Sequence, residues 1–273
     1  MKAEETATAI VERLPRLSAL AEYLLNVVEE IGRMAIMVGG AVRNFPNAFR
    51  SRALVLEQMV QMGVDSMPLV IIISIFTGAV AAWQAAYQIQ GFIPVKYLGS
   101  VIGRNVFIEL GPVLTALVVA GRIGAAMAAE LGTMKVTEQV DALESMGIPA
   151  SRYLIMPRFI AAALMLPVLV IFADFLAILG GYLVANILLD ISTYTYVIGL
   201  RHSFQVRDVL AGLVKAGVFG TFMAIMGCHY GLRAEGGAEG VGKSTMQAVV
   251  ASCVAVLIGD YFLTTFLFPI SGQ

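Results

Sequence analysis

The chain has 273 residues, 59% of them hydrophobic and 14% charged, with a net charge of −1. A water-soluble domain carries about 25% charged residues, so the composition excludes a water-exposed globule. The absence of a basic excess excludes a nucleic-acid binder. Two cysteines, Cys228 and Cys253, fall in apolar runs and read as small buried hydrophobes, not as a disulfide framework.

The first thirty residues carry charges throughout and lack a compact apolar core with a cleavage site, so no signal peptide is expected. Ile10, Leu14, Leu17, Ala21, Leu24, Val28 and Ile31 recur at steps of three and four, with Glu12, Arg13, Arg16, Glu22, Glu29 and Glu30 on the other face. This pattern predicts an amphipathic helix lying in a membrane interface, ahead of a soluble helix packed on its own chain. Residues 1–66 therefore read as an N-terminal amphipathic region and residues 67–273 as a membrane domain.

A spanning helix needs about 20 apolar residues. Five runs qualify, near 67–89, 106–131, 159–187, 209–232 and 246–270. The fold class is thus all-α and integral to a membrane. Pro167 in the third run predicts a kink or tilt. Glu109 and Arg122 in the second run, Glu130 at its end and Asp260 in the fifth should face protein or a cavity, because charge is costly in lipid. For Glu109, partners at Arg104, Arg122 or a backbone group are expected. Of the 18 Lys and Arg residues, all but Lys96, Arg104, Arg201, Arg207 and Lys215 fall on the side that holds the N-terminus. That bias places the N-terminus in the cytoplasm and the C-terminus outside. Small-residue stripes at Gly124–Ala128–Gly132 and Gly212–Ala216–Gly220–Ala224 predict close helix approach within the chain, with self-association a second use.

Chemistry-bearing motifs are few. Gly237 to Ser244 fits G-x-x-x-x-G-K-S, but a phosphate loop needs a preceding strand, and here a membrane helix precedes it. A tight glycine turn into the fifth span is expected instead. His202 and His229 fall near opposite faces, and no HxxxH, CxxC or nucleophile-elbow pattern appears, so no metal site or hydrolase is expected. Asp174 and Asp260 could be imagined as a protease pair, yet nothing in the sequence joins them.

The stretch Glu109–Gly147 carries the strongest signal. It starts as a membrane-grade helix and continues, with no clear break, into an amphipathic segment in which Val136, Val140, Leu143, Met146 and Gly147 share a face opposite Glu138, Asp141 and Glu144. Glu109–Gly111–Pro112, Gly121–Arg122, Ala129–Gly132, Glu138–Gln139, Ala142–Leu143 and Met146–Gly147 together resemble the MlaE/YrbE permeases, the membrane subunits of ATP-driven lipid transporters that work with MCE-domain proteins. The resemblance implies a homodimeric permease of the bacterial inner membrane. A separate ABC ATPase, holding ATP and magnesium, would bind its cytoplasmic face. An MCE-domain protein would sit on the periplasmic face, and a small STAS-domain subunit could bind the ATPase. The cargo would be phospholipid, and this chain would carry no cofactor and no catalytic residue. Tyr87, Glu109 and Leu110 become candidate lipid-cavity residues, although Ile108 stands where many relatives have Arg. The segment 136–148, which also resembles the E-A-A-x-x-x-G loop of ABC importers, becomes the candidate ATPase-coupling element. Arg122, Glu130 and Asp260 become structural membrane charges. An ion-coupled secondary transporter and a non-transporting scaffold are the alternative readings.

Overall fold

The computed structural model describes residue 25 and residues 28–47, 51–89 and 94–269. Among these, helices are the only regular secondary structure. A helix α1 covers residues 28–43. It is followed by α2 (Arg52–Gly63), α3 (Met67–Ile89), α4 (Leu98–Asn105), α5 (Thr115–Val119), α6 (Ala125–Val136) and α7 (Gln139–Ser145). The chain ends in α8 (Met156–Ile187), α9 (Thr193–Ser203), α10 (Val206–Gly231) and α11 (Gly237–Leu267). The amphipathic run from Ile10 to Leu24 lies outside the described residues.

Among the described residues, five helical stretches are long and apolar enough to cross a membrane: Arg52–Gln88, Leu98–Val136, Ser151–Ile187, Val206–Gly231 and Gly237–Leu267. They coincide with the five apolar runs, but all except the fourth begin well before those runs. Residues 52–66, 98–105, 151–158 and 237–245 stay helical although they are less apolar, so the helices continue past the hydrocarbon-grade sequence. An odd number of spans puts the two ends of the domain on opposite faces. The face holding residue 52, α7 and the turn before α11 is called proximal here, and the face holding α9 is called distal.

Glycines let the spans touch backbone to backbone. A Cβ at Gly78 would lie 1.7 Å from the carbonyl oxygen of Ala177, and one at Gly180 would lie 2.2 Å from that of Ile75. The first and third spans therefore interlock through reciprocal glycines. The fourth span does the same with the third at Gly220, 2.3 Å from the oxygen of Ala162. Both small-residue stripes are used within the chain: Gly124 faces Ser252, Gly132 faces Ala234, and Gly212 faces Phe107. Pro167 sits inside α8, which runs on unbroken, with Gly217 of α10 opposite its ring.

On the distal face α9, which the sequence did not disclose, packs on α4. Ser100 donates to the carbonyl of Gly199 at 2.5 Å, and Gly99 and Gly199 each lie where any side chain would strike the other helix. On the proximal face, Ala41 of α1, Leu131, Val140, Leu154, Met156 and Cys228 form one apolar cluster. Both cysteines are free. The helix α1 inverts the usual sense of amphipathicity. Val28, Ile31 and Ile36 point outward, while Glu30 turns inward to a buried His229, whose Nε2 meets its Oε1 at 2.9 Å, and to Arg233. An apolar outer face on a helix beside five spans is what an interfacial helix requires.

Two outcomes follow. Gly78→Leu must force the first and third spans apart, lowering stability by roughly 1–3 kcal/mol, which unfolding of the purified protein in mixed detergent will measure. The hydrogen bond from His229 holds the Glu30 carboxyl below its ordinary range; burial opposes this, and Arg233 adds to it. A depressed folded value means that the clasp stabilises above the ordinary carboxylate range and is lost as pH falls through the lowered value. Spin labels at Ile36 and Glu239 should therefore separate as pH falls below the ordinary carboxylate range, and Glu30→Gln should abolish that pH dependence.

Candidate functional site: a lysine buried among three spans

Lys215 stands in the middle of the fourth span with 0% of its side chain exposed. An ammonium cannot stay charged in such a place without partners, and the fold supplies four. The three N–H groups of Nζ are shared among Glu109 Oε1 at 2.8 Å, Asp260 Oδ1 at 2.9 Å, Thr264 Oγ1 at 2.7 Å and, most distant, the carbonyl of Ile108 at 3.2 Å. Thr264 donates in turn to Glu109 Oε1 at 3.1 Å. Second, fourth and fifth spans are thus joined at one point. Glu109 and Asp260 remain partly open, with 38% and 22% of their side chains exposed, so the network is buried on its lysine side and accessible on its carboxylate side.

The backbone around Glu109 is shaped for this. Val106–Leu114 is π-helical, with Pro112 inside it. Proline removes a donor and clashes with an earlier carbonyl, and a π segment accommodates both. Such segments are rare and concentrate at functional sites. A Cβ at Gly111 would lie 1.7 Å from Asp174 Oδ1, an oxygen that is itself buried and without a hydrogen bond. Asp174 therefore packs against the π segment, remote in sequence from the network it flanks.

Sequence reasoning expected Glu109 to pair with Arg104 or Arg122. Neither does so. Arg104 pairs with Asp208 at 3.2 Å on the distal side. Arg122 lies in a second π segment, Ala120–Gly124, and donates to Ser66 Oγ at 2.6 Å. In the sequence Lys215 counts only toward the charge bias, and its role is visible only once three helices converge. Its spacing from Gly212, Ala216 and Gly220 in a small-residue helix was the available signal, since a long cation on a close-packed stripe must find anions on neighbouring helices. Glu130 pairs with the buried Arg158 at 2.8 Å. Leu110 packs against the distal apolar cluster. Tyr87 is 77% exposed on the outside of the first span and is not among the groups that meet Lys215.

At the proximal face, the expected continuous helix through 109–147 is interrupted. Thr137 ends α6, and Glu138 takes a left-handed conformation (φ 60°). Lys135 spans the break to Asp141 at 2.8 Å, so Asp141 is engaged within the chain. The short α7 closes with Gly147 at φ 78°, its N–H bonding the oxygen of Glu144 and that of Ile148 bonding the oxygen of Leu143. This is a Schellman closure, which favours glycine at its left-handed residue. The apolar face is also divided: Val140 is buried in the chain's own proximal cluster, Leu143 is half-buried against it, and Met146 is 67% exposed. Glu138 and Glu144 are exposed. Beside them lies a hollow of about 360 Å³ between Leu54 and Tyr153. The glycine turn expected at Lys243 is displaced: Gly236 and Gly237 carry the positive φ angles, while Gly242, Lys243 and Ser244 already belong to α11. Among the described residues, no cluster of metal-ligating side chains occurs.

Residues 55–266 match the family described as Permease MlaE. The chain belongs to the MlaE permease family. A probable ABC transporter permease of Rickettsia bellii is 37% identical over 93% of this chain and 98% of its own length. Another of Synechocystis is 41% identical over 82% and 85%. The intermembrane phospholipid transport system permease protein MlaE of Haemophilus influenzae is 32% identical over 92% and 97%. The protein is therefore a multi-pass membrane permease of the ABC-transporter class.

Removing one partner of a buried ion pair costs about 3–5 kcal/mol, here reduced by the partial exposure of the carboxylates. Lys215→Met should destabilise the permease in a detergent unfolding titration. Adding Glu109→Gln and Asp260→Asn to the same chain should recover most of that loss, because no uncompensated charge is left. If the triple variant is no more stable than Lys215→Met, the ion pairing is not what holds these spans together.

Proposed function

We propose that this permease is the membrane subunit of an ATP-driven transporter that moves phospholipids or related hydrophobic molecules between membranes. The observation that carries the reading is the half-open Glu109–Lys215–Asp260–Thr264 network within the bilayer. It presents carboxylates and a hydroxyl beside apolar spans, which suits a molecule with a polar head and hydrocarbon tails. The printed name of the Haemophilus relative, a phospholipid transport permease, supports that substrate class. An ion-coupled carrier would need Glu109 or Asp260 to hold a coupling ion, whereas one oxygen of each is already bonded to Lys215.

In this reading the proximal face is cytoplasmic, as the charge bias suggests, and the C-terminus lies in the periplasm of a bacterial inner membrane. A separate ABC ATPase binds at α7 and hydrolyses ATP with magnesium, and this chain does no covalent chemistry. An MCE-domain protein receives or delivers lipid at the distal face, two copies of the permease pair, and a STAS-domain subunit accompanies the ATPase. Met146, Leu143, Glu138 and Glu144 form the exposed side of α7, and helix-in-groove docking would bury that apolar pair. Because Val140 is rooted among Leu131, Met156 and Cys228, movement of α7 carries the proximal ends of the second, third and fourth spans with it.

The test is ATP-dependent transfer of labelled phospholipid between vesicle populations by the permease reconstituted with its ATPase. Transfer should fall at least about tenfold, the equivalent of 1.4 kcal/mol, for Lys215→Met. Leu143→Asp should release the ATPase and abolish stimulated hydrolysis while the spans remain folded. Full copurification of the ATPase with Leu143→Asp would show that α7 is only a connection.

A further inference from the structure

Arg122 marks a second polar site, well away from Lys215. Glu109 and Arg122 lie on one helical stretch, thirteen residues or about 20 Å apart along its axis. The depth of Arg122 follows from its partner. Met67–Ile89 is a 23-residue apolar helix, enough to cross the hydrocarbon layer. Ser66 precedes it and therefore stands at the proximal edge of that layer. Arg122 Nη1 reaches Ser66 Oγ at 2.6 Å, so its guanidinium lies at the depth of lipid phosphates.

The guanidinium is underused. It offers five N–H donors in a planar fork. Nη1 also approaches the carbonyl of Gln61 at 3.5 Å, and Nη2 stands 3.8 Å from Asp65, too far for a hydrogen bond. With 37% of the side chain exposed, the remaining donors need another acceptor. The π segment Ala120–Gly124 carries this arginine, and the neighbouring Gly121 has no atom within 4 Å of where a side chain would begin, so that wall is open.

A cavity of about 110 Å³ adjoins it, lined by Gln58, Asp65 and Glu130 together with Met62 and Met127. A water molecule's share of volume is about 30 Å³, so the space exceeds that of a single water. It presents both signs of charge: one unsaturated guanidinium, the half-exposed carboxylate of Asp65, and Glu130, whose Oε1 is bonded to Arg158. A simple anion would face two carboxylates there, and a simple cation would face the arginine. A zwitterion satisfies both. We propose that this cavity is a binding site for the head group of a zwitterionic, ammonium-bearing phospholipid of the proximal leaflet. The phosphate lies on Arg122 and the ammonium lies toward Asp65 and Glu130. The acyl chains follow the exposed apolar surface of the first span at Ile72 and Phe76. The assignment requires only that the chain spans a bilayer, and it stands apart from the transport reading.

Native mass spectrometry of the delipidated full chain, titrated with phosphatidylethanolamine, tests it. Arg122→Gln should weaken the first binding event by about tenfold or more, the range of a lost charged hydrogen bond, and should leave diacylglycerol binding unchanged. Phosphatidylglycerol should bind more weakly than phosphatidylethanolamine, and Asp65→Asn should narrow that gap. Should Arg122→Gln fail to fold, Gln58→Trp, which fills the cavity without touching the Ser66 contact, must lower the same affinity. Unchanged phosphatidylethanolamine binding in these variants overturns the proposal, as does a parallel loss of diacylglycerol binding. Equal affinity for soluble glycerophosphoethanolamine overturns it in favour of a free head-group site. Loss on Lys215→Met in place of Arg122→Gln assigns the lipid to the central network, sinking this inference while leaving the transport reading intact.

Discussion

One buried ammonium group organises the centre of this permease. Lys215 cannot be solvated where it stands, and its bonds to the second and fifth spans are the condition on which the fourth span can be there at all. Apolar contact between helices gives little directional information in a bilayer, since lipid tails are as apolar as the helices. The lysine supplies that direction. It fixes the rotation of the fourth span about its axis and the depth of Glu109 relative to Asp260. The glycine contacts at Gly212 and Gly220 then bring the backbones close enough for the bonds to form.

The proximal end follows a different logic. Its charges are shared between different helices: Glu30 with His229 and Arg233, Glu130 with Arg158, Lys135 with Asp141. Each pair straddles a junction, and together they bind α1, α7 and three span ends into one unit around Val140 and Cys228. The part of α7 left outside that unit is small and mixed in character, as suits an element that is both anchored and offered to a partner.

Much of this was legible in the sequence. The five apolar runs announced five spans because helices in lipid must satisfy every backbone group internally, and hydrophobic length is a direct readout of that constraint. The stripes at Gly124 and Gly212 announced close packing. What escaped were relations between distant segments. Nothing near Glu109 in sequence points to Lys215, 106 residues away, and the local candidates Arg104 and Arg122 were each claimed by Asp208 and Ser66. The break at Glu138 was hidden because a left-handed glutamate leaves no compositional trace, whereas Gly147, which ends the same helix, does. The short α9 was invisible because its residues, Thr193 to Ser203, lack the apolar run by which the spans were found.

The π-helical turns have a mechanical corollary. A π turn closes its hydrogen-bonded ring with one more residue than an α turn, so each one stores a residue of slack. Two of them, Val106–Leu114 and Ala120–Gly124, lie on either side of Thr115–Val119 in the second span. Passing that residue into the α-helical middle would turn the intervening stretch by about 100°, with Leu98 and Val136 held in place. The second span is therefore less a rod than a shaft with a joint on either side of its centre. The groups mounted on those joints, Glu109 and Arg122, are the ones whose neighbours such a rotation would exchange.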